Sequence, residues 1–395
     1  MNLVLDSPSL PIPENYRGKR EYRICFQCVM DTSDSQISFD NEGVCDHCHS
    51  YREHVLPNWQ TDERGKRALE KIVAKVKSDG KNRDFDCIMG MSGGADSSYM
   101  LHVAVKDFGL RPLVFHVDGG WNSQIGTNNI EVLIKGLGLD LYTEVINWQE
   151  MRDFQLAFFK SGVPHIDIPQ DHAFIATLYN FAAKHKIKYI LNGGNYSTEC
   201  VRNPLEFFYY GTDMAQIRDI RRQYCTNPMR TYPFSSILRH KVYLRYIRRI
   251  QVIKPLNYFP YIKAEAMQFL KDTYGWIPYP QKHFESRFTR FFEGYWLPNK
   301  FGFDSRRVQY SSLILTGQMT RDQALQLLQA PALSDDEVRT EFEYIAKKLG
   351  ISSDELQGYF DAPNKSYKDY KNQEAMFVLG AKILNWLGVE RAIKR

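Results

Sequence analysis

The chain has 395 residues, of which 43% are hydrophobic and 25% charged, and its formal net charge is +5. This composition is typical of a globular protein and predicts two or three domains with a large core. The net charge is mild for this length and does not by itself favour nucleic-acid binding. Because the sequence has no long apolar run and no signal-like N-terminus, it predicts a cytoplasmic protein without a membrane span. In that compartment, seven cysteines indicate metal binding or chemistry rather than disulfides.

The first 58 residues form two predicted segments. Residues 1–20 are rich in proline and polar side chains and are predicted to be extended. Residues 21–58 contain two Cys-x-x-Cys pairs separated by sixteen residues: Cys25, Cys28, Cys45 and Cys48. Each pair can present two thiolates to one tetrahedral ion, so this stretch is predicted to be a zinc ribbon holding a structural Zn²⁺. Two disulfides or an iron–sulfur site remain alternatives on the spacing alone.

The most informative stretch is DCIMGMSGGADSSYM, which begins at Asp86. A short apolar strand leads into a Ser/Gly-rich turn and then into a helix. Glycines let the backbone approach an oxyanion closely, while hydroxyls and free N–H groups at the helix start donate hydrogen bonds to it. The predicted anion-binding residues are Ser92, Gly93, Gly94, Ser97 and Ser98. Asp96 is interpreted as a Mg²⁺ ligand, because a carboxylate beside phosphate needs a cation between them.

The sequence of this turn excludes one class of nucleotide-binding protein and favours another. The chain has no G-x-x-x-x-G-K-[ST] motif, which argues against a P-loop NTPase that cleaves the γ-phosphate. SGGADSS instead resembles the SGGxDS loop of the PP-loop ATP pyrophosphatases, which adenylate a substrate oxygen and release pyrophosphate. The resemblance implies ATP and Mg²⁺ as cofactors.

Strands and helices alternate through residues 59–275, which predicts an α/β domain with a doubly wound parallel sheet. The resemblance of the loop implies that this sheet is of the PP-loop ATPase, or adenine nucleotide alpha hydrolase-like, type. Three polar Gly-rich loops, SGGADSS, DGGWNS and NGGNYSTE, follow predicted strands and are expected to face one crevice. Asp118, Gly193 and Gly194 are therefore predicted to contact the nucleotide, although Asp118 can equally close an Asx-turn. Asn195 and Glu199 are predicted on the substrate side, with ordinary loop polarity as the alternative.

Residues 276–395 have no strand signal and are predicted to form a helical substrate or partner domain. Its first part is dense in histidine, lysine, arginine and serine, which favours a wall facing the substrate over an ordinary charged helix surface. Before it, residues 238–250 read as a basic helix with an apolar face. Nucleic acid or a membrane surface are possible ligands for that helix, and a solvated face or partner contact is the simpler interpretation.

Several segments together extend the resemblance over nearly the whole chain, from about Cys25 to Leu325. The two cysteine pairs, IMGMSGGADSSYM, HVDGGWNS, ILNGGNYSTE, KHFESRFTRF, KFGFDSRR and SSLILTGQMTRDQAL are similar to the N-acetyl sugar amidotransferase family of lipopolysaccharide O-antigen and nonulosonic-acid biosynthesis. The resemblance implies that an acetamido group on a sugar, often UDP-linked, becomes an acetamidino group. ATP is converted to AMP and pyrophosphate, and a separate glutaminase subunit resembling that of histidine biosynthesis supplies ammonia.

The same resemblance implies roles for particular residues. The loop residues above would hold ATP phosphates and Mg²⁺, and the predicted catalytic residues are Ser92, Asp96, Lys282 and His283. The predicted substrate-binding residues are Asn195, Glu199, Glu285, Arg287, Arg290, Lys300, Arg306 and Arg307. Among these, Arg306 and Arg307 are favoured, because a guanidinium binds a diphosphate or carboxylate through two parallel hydrogen bonds.

An ATP-dependent tRNA-modifying enzyme of the thiolation type is the main alternative, since a zinc ribbon and a PP-loop occur together there as well. The absence of a Cys-x-x-Cys pair in the catalytic core and the mild net charge argue against it and make nucleic acid an unlikely partner. A ligase acting on another small acid or amide is a further alternative.

Overall fold

Five parallel strands form one sheet in the order β3-β2-β1-β4-β5. The computed structural model describes residues 12–13 and 16–386, so most of the predicted extended segment 1–20 lies outside the described residues. The strands are β1 (Cys87–Gly90), β2 (Pro112–Asp118), β3 (Leu141–Val145), β4 (Tyr189–Leu191) and β5 (Gln251–Ile253). The first four match the predicted strands, and β5 is a short edge strand in a region where sequence periodicity gave no strand signal.

The remaining regular structure of the described chain is helical. The α-helices are α1 (Asp46–Ser50), α2 (Glu63–Gly80), α3 (Ala95–His102), α4 (Gln124–Leu137), α5 (Trp148–Ser161), α6 (Ile168–Lys184), α7 (Tyr196–Glu199), α8 (Met214–Tyr224), α9 (Lys263–Tyr274), α10 (Arg287–Phe291), α11 (Arg306–Leu315), α12 (Arg321–Leu328), α13 (Asp335–Leu349), α14 (Ser353–Asp361) and α15 (Glu374–Trp386). Four π-helical segments are Tyr51–Val55, Val103–Asp107, Arg239–Ile247 and Phe292–Phe301. Short 3₁₀ turns are Leu56–Asn58, Pro255–Asn257 and Tyr367–Asp369. Within the described residues, each helix is too short or too polar to cross a bilayer.

Side chains of alternating strand residues enter two different cores, as the two-residue period of a strand requires. Ile88 packs with α5, α6 and α8 on one face, whereas Met89 packs with α3, α4 and α9 on the other. Helices therefore cover both faces of the sheet, and the predicted doubly wound α/β fold is confirmed. The carboxyl ends of β1, β2 and β4 meet at one edge, where such folds bind their ligands.

The cysteine-rich segment shares a third core with the C-terminal helices rather than having one of its own. Its two turns are closed by the isolated bridges Ile24 to Asp31 and Phe39 to Cys45. The buried cysteines pack in one apolar cluster with Phe288, Trp296 and other aromatic residues of the C-terminal region. The two ends of the described chain therefore stabilise each other.

Arg307 joins these two ends through a buried ion pair. Its Nε lies 3.0 Å from Oδ2 of Asp31, and both side chains are almost completely buried. Its Nη1 also donates to the Val29 carbonyl at 2.9 Å and its Nη2 to the Tyr22 hydroxyl at 3.1 Å. Each nitrogen of the Arg307 guanidinium therefore contacts a group of the N-terminal segment.

Replacing Arg307 should lower stability strongly, because the substitution leaves Asp31 buried without its cation. We expect Arg307→Leu to reduce the free energy of unfolding by about 3 to 5 kcal/mol in denaturant titrations. The double variant Arg307→Leu/Asp31→Leu should recover part of this loss, since no charge is then stranded. A single variant as stable as the wild type would contradict the structural role of this pair.

Candidate active site

A cavity of about 760 Å³ opens at the carboxyl ends of β1, β2 and β4. The Ser/Gly-rich loop and the start of α3 form one wall, and residues after position 276 form the wall that faces it. Residues that line it include Ser92, Gly94, Asp96, Ser97, His116, Gly193, Gly194, Glu199, Lys263, Lys282, His283, Glu285, Gln309 and Tyr310. All three predicted loops therefore reach the cavity as the sequence indicated: SGGADSS and NGGNYSTE contribute several lining residues, and DGGWNS contributes Asn122.

The loop between β1 and α3 is held by contacts that need glycine. Gly93 has a φ of 85°, and a Cβ there would lie 2.7 Å from the Gly126 carbonyl oxygen. The Trp276 indole donates to the Gly93 carbonyl at 3.1 Å. Ser92 Oγ accepts the Gly94 N–H at 3.2 Å. Ala95, Asp96 and Ser97 of the first turn of α3 line the cavity, and the N–H groups at the start of a helix stabilise an anion.

Ser98 lies on the other side of this helix. Its side chain is completely buried, and its hydroxyl has no hydrogen-bond partner among the described residues. The structure corrects its predicted position, because Ser97 borders the cavity whereas Ser98 faces the interior.

Asp96 and Glu199 hold one ammonium group between them. Lys282 Nζ lies 2.6 Å from Oε1 of Glu199 and 3.4 Å from Oδ2 of Asp96. Oδ1 of Asp96 accepts the Tyr261 hydroxyl at 2.6 Å. Burial opposes both charges, yet the two carboxylates raise the pKa of Lys282, and Lys282 with Lys263 lowers the pKa of Asp96. A cation therefore already stands beside the carboxylate for which the sequence predicted a magnesium ion.

Lys263 is a second lysine that lines the cavity. Unlike Lys282, it was not predicted from the sequence to belong to the site. It opens α9, and burial lowers its pKa even though Asp96 opposes that effect. Its signal in the sequence was weak, since a lysine in the first turn of an amphipathic helix usually faces solvent. Lys263 and Lys282 together provide two cations near the Ser/Gly-rich loop.

His283 lies beside Lys282 and is oriented by a buried carboxylate. Its Nδ1 is 3.0 Å from Oε1 of Glu293, whose other oxygen accepts the Ser305 hydroxyl at 3.2 Å and the Gln309 amide at 3.4 Å. Burial alone would lower the pKa of His283, but Glu293 outweighs burial and raises it to about 9. His283 also has a φ of 68°, an uncommon backbone conformation for a histidine. Glu293 therefore favours the protonated form of this imidazole at the cavity wall.

The opposite part of the cavity is apolar. Phe115, Val117, Phe174 and Leu178 line it, so a flat aromatic base can be buried there. His116 also lines the cavity, and its Nδ1 donates to the Met91 carbonyl at 2.7 Å. That contact leaves its Nε2 as an acceptor, which faces the Asn122 amide at 3.0 Å.

Two predicted ligands are used for local turns instead. Oδ1 of Asp118 accepts the Gly120 N–H at 2.7 Å, which closes the Asx-turn that was the alternative interpretation. Oδ1 of Asn195 accepts the Thr198 N–H at 2.9 Å and caps α7. Neither residue lines the cavity, so the structure corrects their predicted position.

Five basic residues predicted to bind substrate lie outside the cavity, because each is used by other partners. Arg287 and Arg290 pair with Glu341, and the Arg287 guanidinium also stacks 3.4 Å from the Tyr344 ring centre. Lys300 Nζ donates to the Phe360 and Ala362 carbonyls at 2.5 and 2.6 Å.

Arg306 and Arg307, which the sequence favoured as substrate ligands, also contact other parts of the protein instead. Arg306 pairs with Asp304 at 2.7 Å and donates to the Leu327 and Ala330 carbonyls. Arg307 pairs with Asp31 as described above. Of the predicted C-terminal ligands, the cavity is lined by Lys282, His283 and Glu285.

The four N-terminal cysteines form a separate candidate metal site. Their sulfur atoms all lie within 4.8 Å of one another, and the four side chains are buried. Backbone N–H groups of Gln27, Cys28 and Cys45 point at the Cys25 sulfur, as expected around a thiolate ligand. The residues present therefore fit a tetrahedral metal ion.

The five-stranded parallel sheet and the SGGADSS loop resemble those of the PP-loop ATPases. Residues 285–384 match the family model described as the C-terminal domain of WbpG-like lipopolysaccharide biosynthesis proteins. The predicted resemblance to lipopolysaccharide biosynthesis enzymes is thereby confirmed for this part of the chain. No curated protein matched the sequence.

Solved structures that are similar to this chain include two synthetases. The NH₃-dependent NAD synthetase from Campylobacter jejuni is 14% identical, covers 55% of this chain and 99% of its own, and has a TM-score of 0.27. The NMN synthetase from Francisella tularensis is 13% identical, covers 76% of this chain and 97% of its own, and has a TM-score of 0.28.

A third similar structure is the U34-tRNA thiolase NcsA from Methanococcus maripaludis with its [4Fe-4S] cluster. It is 13% identical, covers 72% of this chain and 80% of its own, and has a TM-score of 0.33. At these TM-scores the likenesses carry no functional argument, so the functional conclusion depends on the cavity and on the C-terminal domain.

Removing one thiolate should release the metal and loosen the N-terminal segment. We expect Cys25→Ser to lose most bound metal and to melt at a lower temperature, because a site with three thiolates binds its ion less tightly. Metal analysis and thermal unfolding measure both effects. Cys87→Ser, at a buried cysteine in β1, is the matched control and should keep the metal. Unchanged metal content in Cys25→Ser would contradict the assignment.

Proposed function

We propose that the protein is an ATP-dependent amidotransferase that converts the N-acetyl group of a UDP-linked sugar to an acetamidino group in O-antigen synthesis. One observation carries the proposal: the loop of a PP-loop ATPase fold and the WbpG-like domain line the same cavity. The domain contributes Glu285, Gln309 and Tyr310 opposite the loop. An enzyme with this construction can bind ATP and a lipopolysaccharide precursor side by side.

The cavity has suitable surroundings for each part of ATP. The adenine would be buried against Phe174 and Leu178, and the phosphates would bind the N–H groups at the start of α3. Lys263 and Lys282 supply positive charge next to them. Mg²⁺, when bound, would neutralise phosphate charge, and one carboxylate such as Asp96 together with phosphate oxygens is a usual ligand set for it.

The proposed reaction has two steps. The amide oxygen of the acetyl group attacks the α-phosphorus, a P–O bond forms, and the bond to pyrophosphate breaks. Ammonia then attacks the imidate carbon, the C–O bond breaks, AMP leaves, and the nitrogen loses a proton. Lys282 would stabilise charge that builds on the departing pyrophosphate, and charged His283 would donate a hydrogen bond or a proton to the departing AMP oxygen.

Ammonia is proposed to come from a separate glutaminase subunit. The thiols outside the metal cluster are poor nucleophiles, because burial raises the pKa of Cys200 and of Cys225 to about 12. The Cys87 thiol is completely buried in β1. These features also disfavour sulfur transfer through a catalytic cysteine.

We propose zinc as the metal of the cysteine site. Sulfur-to-sulfur distances of 3.6 to 3.8 Å separate neighbouring thiols. A tetrahedron with zinc–sulfur bonds of about 2.3 Å has sulfurs about 3.8 Å apart. A four-iron cluster would hold its thiolates farther apart, since each binds a different iron. Four protein ligands also leave no open position, which favours a structural role.

The decisive experiment follows an oxygen atom. Purified protein is incubated with ATP, Mg²⁺, ammonium and a UDP-linked acetamido uronic acid that carries heavy oxygen in its acetyl group. The proposal requires sugar-dependent pyrophosphate release, a product in which NH has replaced O, and the heavy oxygen in AMP. AMP formed only with bulk tRNA would overturn the proposal in favour of RNA modification.

Lys282 supplies the matched test of the chemistry. Lys282→Met should lower the rate of AMP formation by about 100- to 1000-fold, because it removes a buried charge directed at the leaving group. Lys271→Met, at an exposed lysine of α9, should retain wild-type activity. Thermal unfolding of both variants separates this effect from loss of the fold.

The pair of His283 and Glu293 predicts a characteristic pH dependence. His283 is protonated below a pKa of about 9, so wild-type AMP formation should fall as the pH rises through that value. Glu293→Gln removes the carboxylate that raises the pKa of His283. Lys282 and burial still disfavour the protonated imidazole in this variant, and only Glu285 opposes them. The fall should then begin at or below about pH 6.5.

The pH profile of the sugar-dependent reaction measures this shift, and an NMR titration of His283 measures it without substrate. Glu341→Gln, which removes another buried carboxylate, should leave the profile unchanged because Glu341 pairs with Arg287 outside the cavity. A fall that stays near pH 9 in Glu293→Gln would disprove the role of Glu293.

A further inference from the structure

The segment from Ile220 to Ala264 differs in charge from the rest of the chain. Its 45 residues contain ten lysines and arginines and no aspartate or glutamate, whereas the entire chain has a net charge of only +5. The remainder is therefore net acidic. A charge of one sign that is confined to one stretch indicates a surface for an anionic partner.

Within this segment, residues 238–249 also expose large apolar side chains. Leu238 is 61% exposed and Ile247 is 67% exposed, with Val242, Tyr243 and Tyr246 also on the surface. Leu244 and Ile250 fix the segment to the core beside α8. A solvated helix has no need of five exposed apolar residues in ten positions, so these side chains point to burial in another medium.

Arginines surround the apolar side chains. Arg239 and Arg249 are exposed, and Arg239 and Arg245 stack on Tyr243 and Tyr246 at 5.4 and 5.6 Å. We name residues 238–249 the basic apolar surface. Basic side chains mixed with aliphatic and aromatic ones match the boundary between lipid headgroups and acyl chains.

We propose that the basic apolar surface docks the protein on an anionic lipid membrane. Nucleic acid is the other polyanion to consider, but single-stranded binders use aromatic rings for base stacking. Leu238, Val242 and Ile247 are aliphatic and offer no such stacking, whereas lipid accepts them. The two aromatic rings of the surface, Tyr243 and Tyr246, already stack with Arg239 and Arg245. The surface also borders the cavity, because Tyr179 lines the cavity and packs 4.8 Å from the His240 ring. Docking would therefore bring the cavity close to the membrane.

The test measures binding of the full protein to vesicles. One set contains phosphatidylcholine alone, and the other contains equal parts of phosphatidylcholine and phosphatidylglycerol. We expect co-sedimentation with the anionic set only, and binding that weakens as salt is raised. Arg249→Ala should reduce binding about fivefold, and Ile247→Ser should also reduce it.

Matched controls remove similar side chains elsewhere. Val145→Ser removes an aliphatic side chain that is 69% exposed on β3, at the opposite edge of the sheet, and Arg339→Ala removes an exposed arginine of α13. Both should bind vesicles as the wild type does. In Ile247→Trp, addition of anionic vesicles should shift the tryptophan emission to the blue, which tests insertion at this position directly.

Four outcomes would overturn the proposal. Absence of binding to anionic vesicles excludes it, as does binding that Ile247→Ser and Arg249→Ala leave unchanged. Binding of bulk tRNA that these variants abolish, without vesicle binding, would assign the surface to RNA. Self-association that Ile247→Ser abolishes in the absence of lipid would assign it to a second copy of the chain. None of these readouts depends on ATP turnover.

Discussion

The ammonium of Lys282, held between Asp96 and Glu199, is the interaction on which the cavity depends. The three residues come from the start of α3, the end of α7 and the segment that enters the C-terminal domain. Lys282 and Asp96 are largely buried, and a buried charge without its partner is costly, so this contact favours assembly of the three segments. The same interaction places positive charge beside the Ser/Gly-rich loop. The contact that stabilises this region therefore also helps it to bind anions.

The metal site and the cavity are connected through α11. One side of this helix lines the cavity with Gln309 and Tyr310, and the other side holds the cysteine segment through Arg307 and through Ser311, whose hydroxyl accepts the Val29 N–H at 3.2 Å. Arg321, at the start of α12, donates to the Cys25 and Cys28 carbonyls at 3.1 Å. A metal remote from the chemistry can in this way fix the position of a cavity wall. Under the proposed function, loss of such a metal would disturb substrate binding through α11 rather than the chemical step.

The features that the sequence predicted well are those that depend on local pattern. The strand, turn and helix around Gly93 need particular residues at particular positions, and the strands alternate with helices that have clear apolar faces. Lys263 and Glu293 were missed because their importance comes from partners distant in sequence. Arg306 and Arg307 were assigned to the substrate for the same reason. The sequence of a basic pair in a polar segment is the same whether the pair binds a ligand or a buried carboxylate.

The net charge of the whole chain did not indicate a basic surface, because it sums over all residues. The total of +5 conceals a basic stretch of 45 residues balanced by an acidic remainder. Lys263 belongs to that stretch and lines the cavity, and Lys254 precedes it at the neighbouring strand end. A basic surface that continues into the cavity raises the local concentration of anions and guides them inward, an effect that falls with salt. ATP and a nucleotide-linked sugar are both anionic, so the charge distribution that favours an anionic membrane also favours the proposed substrates.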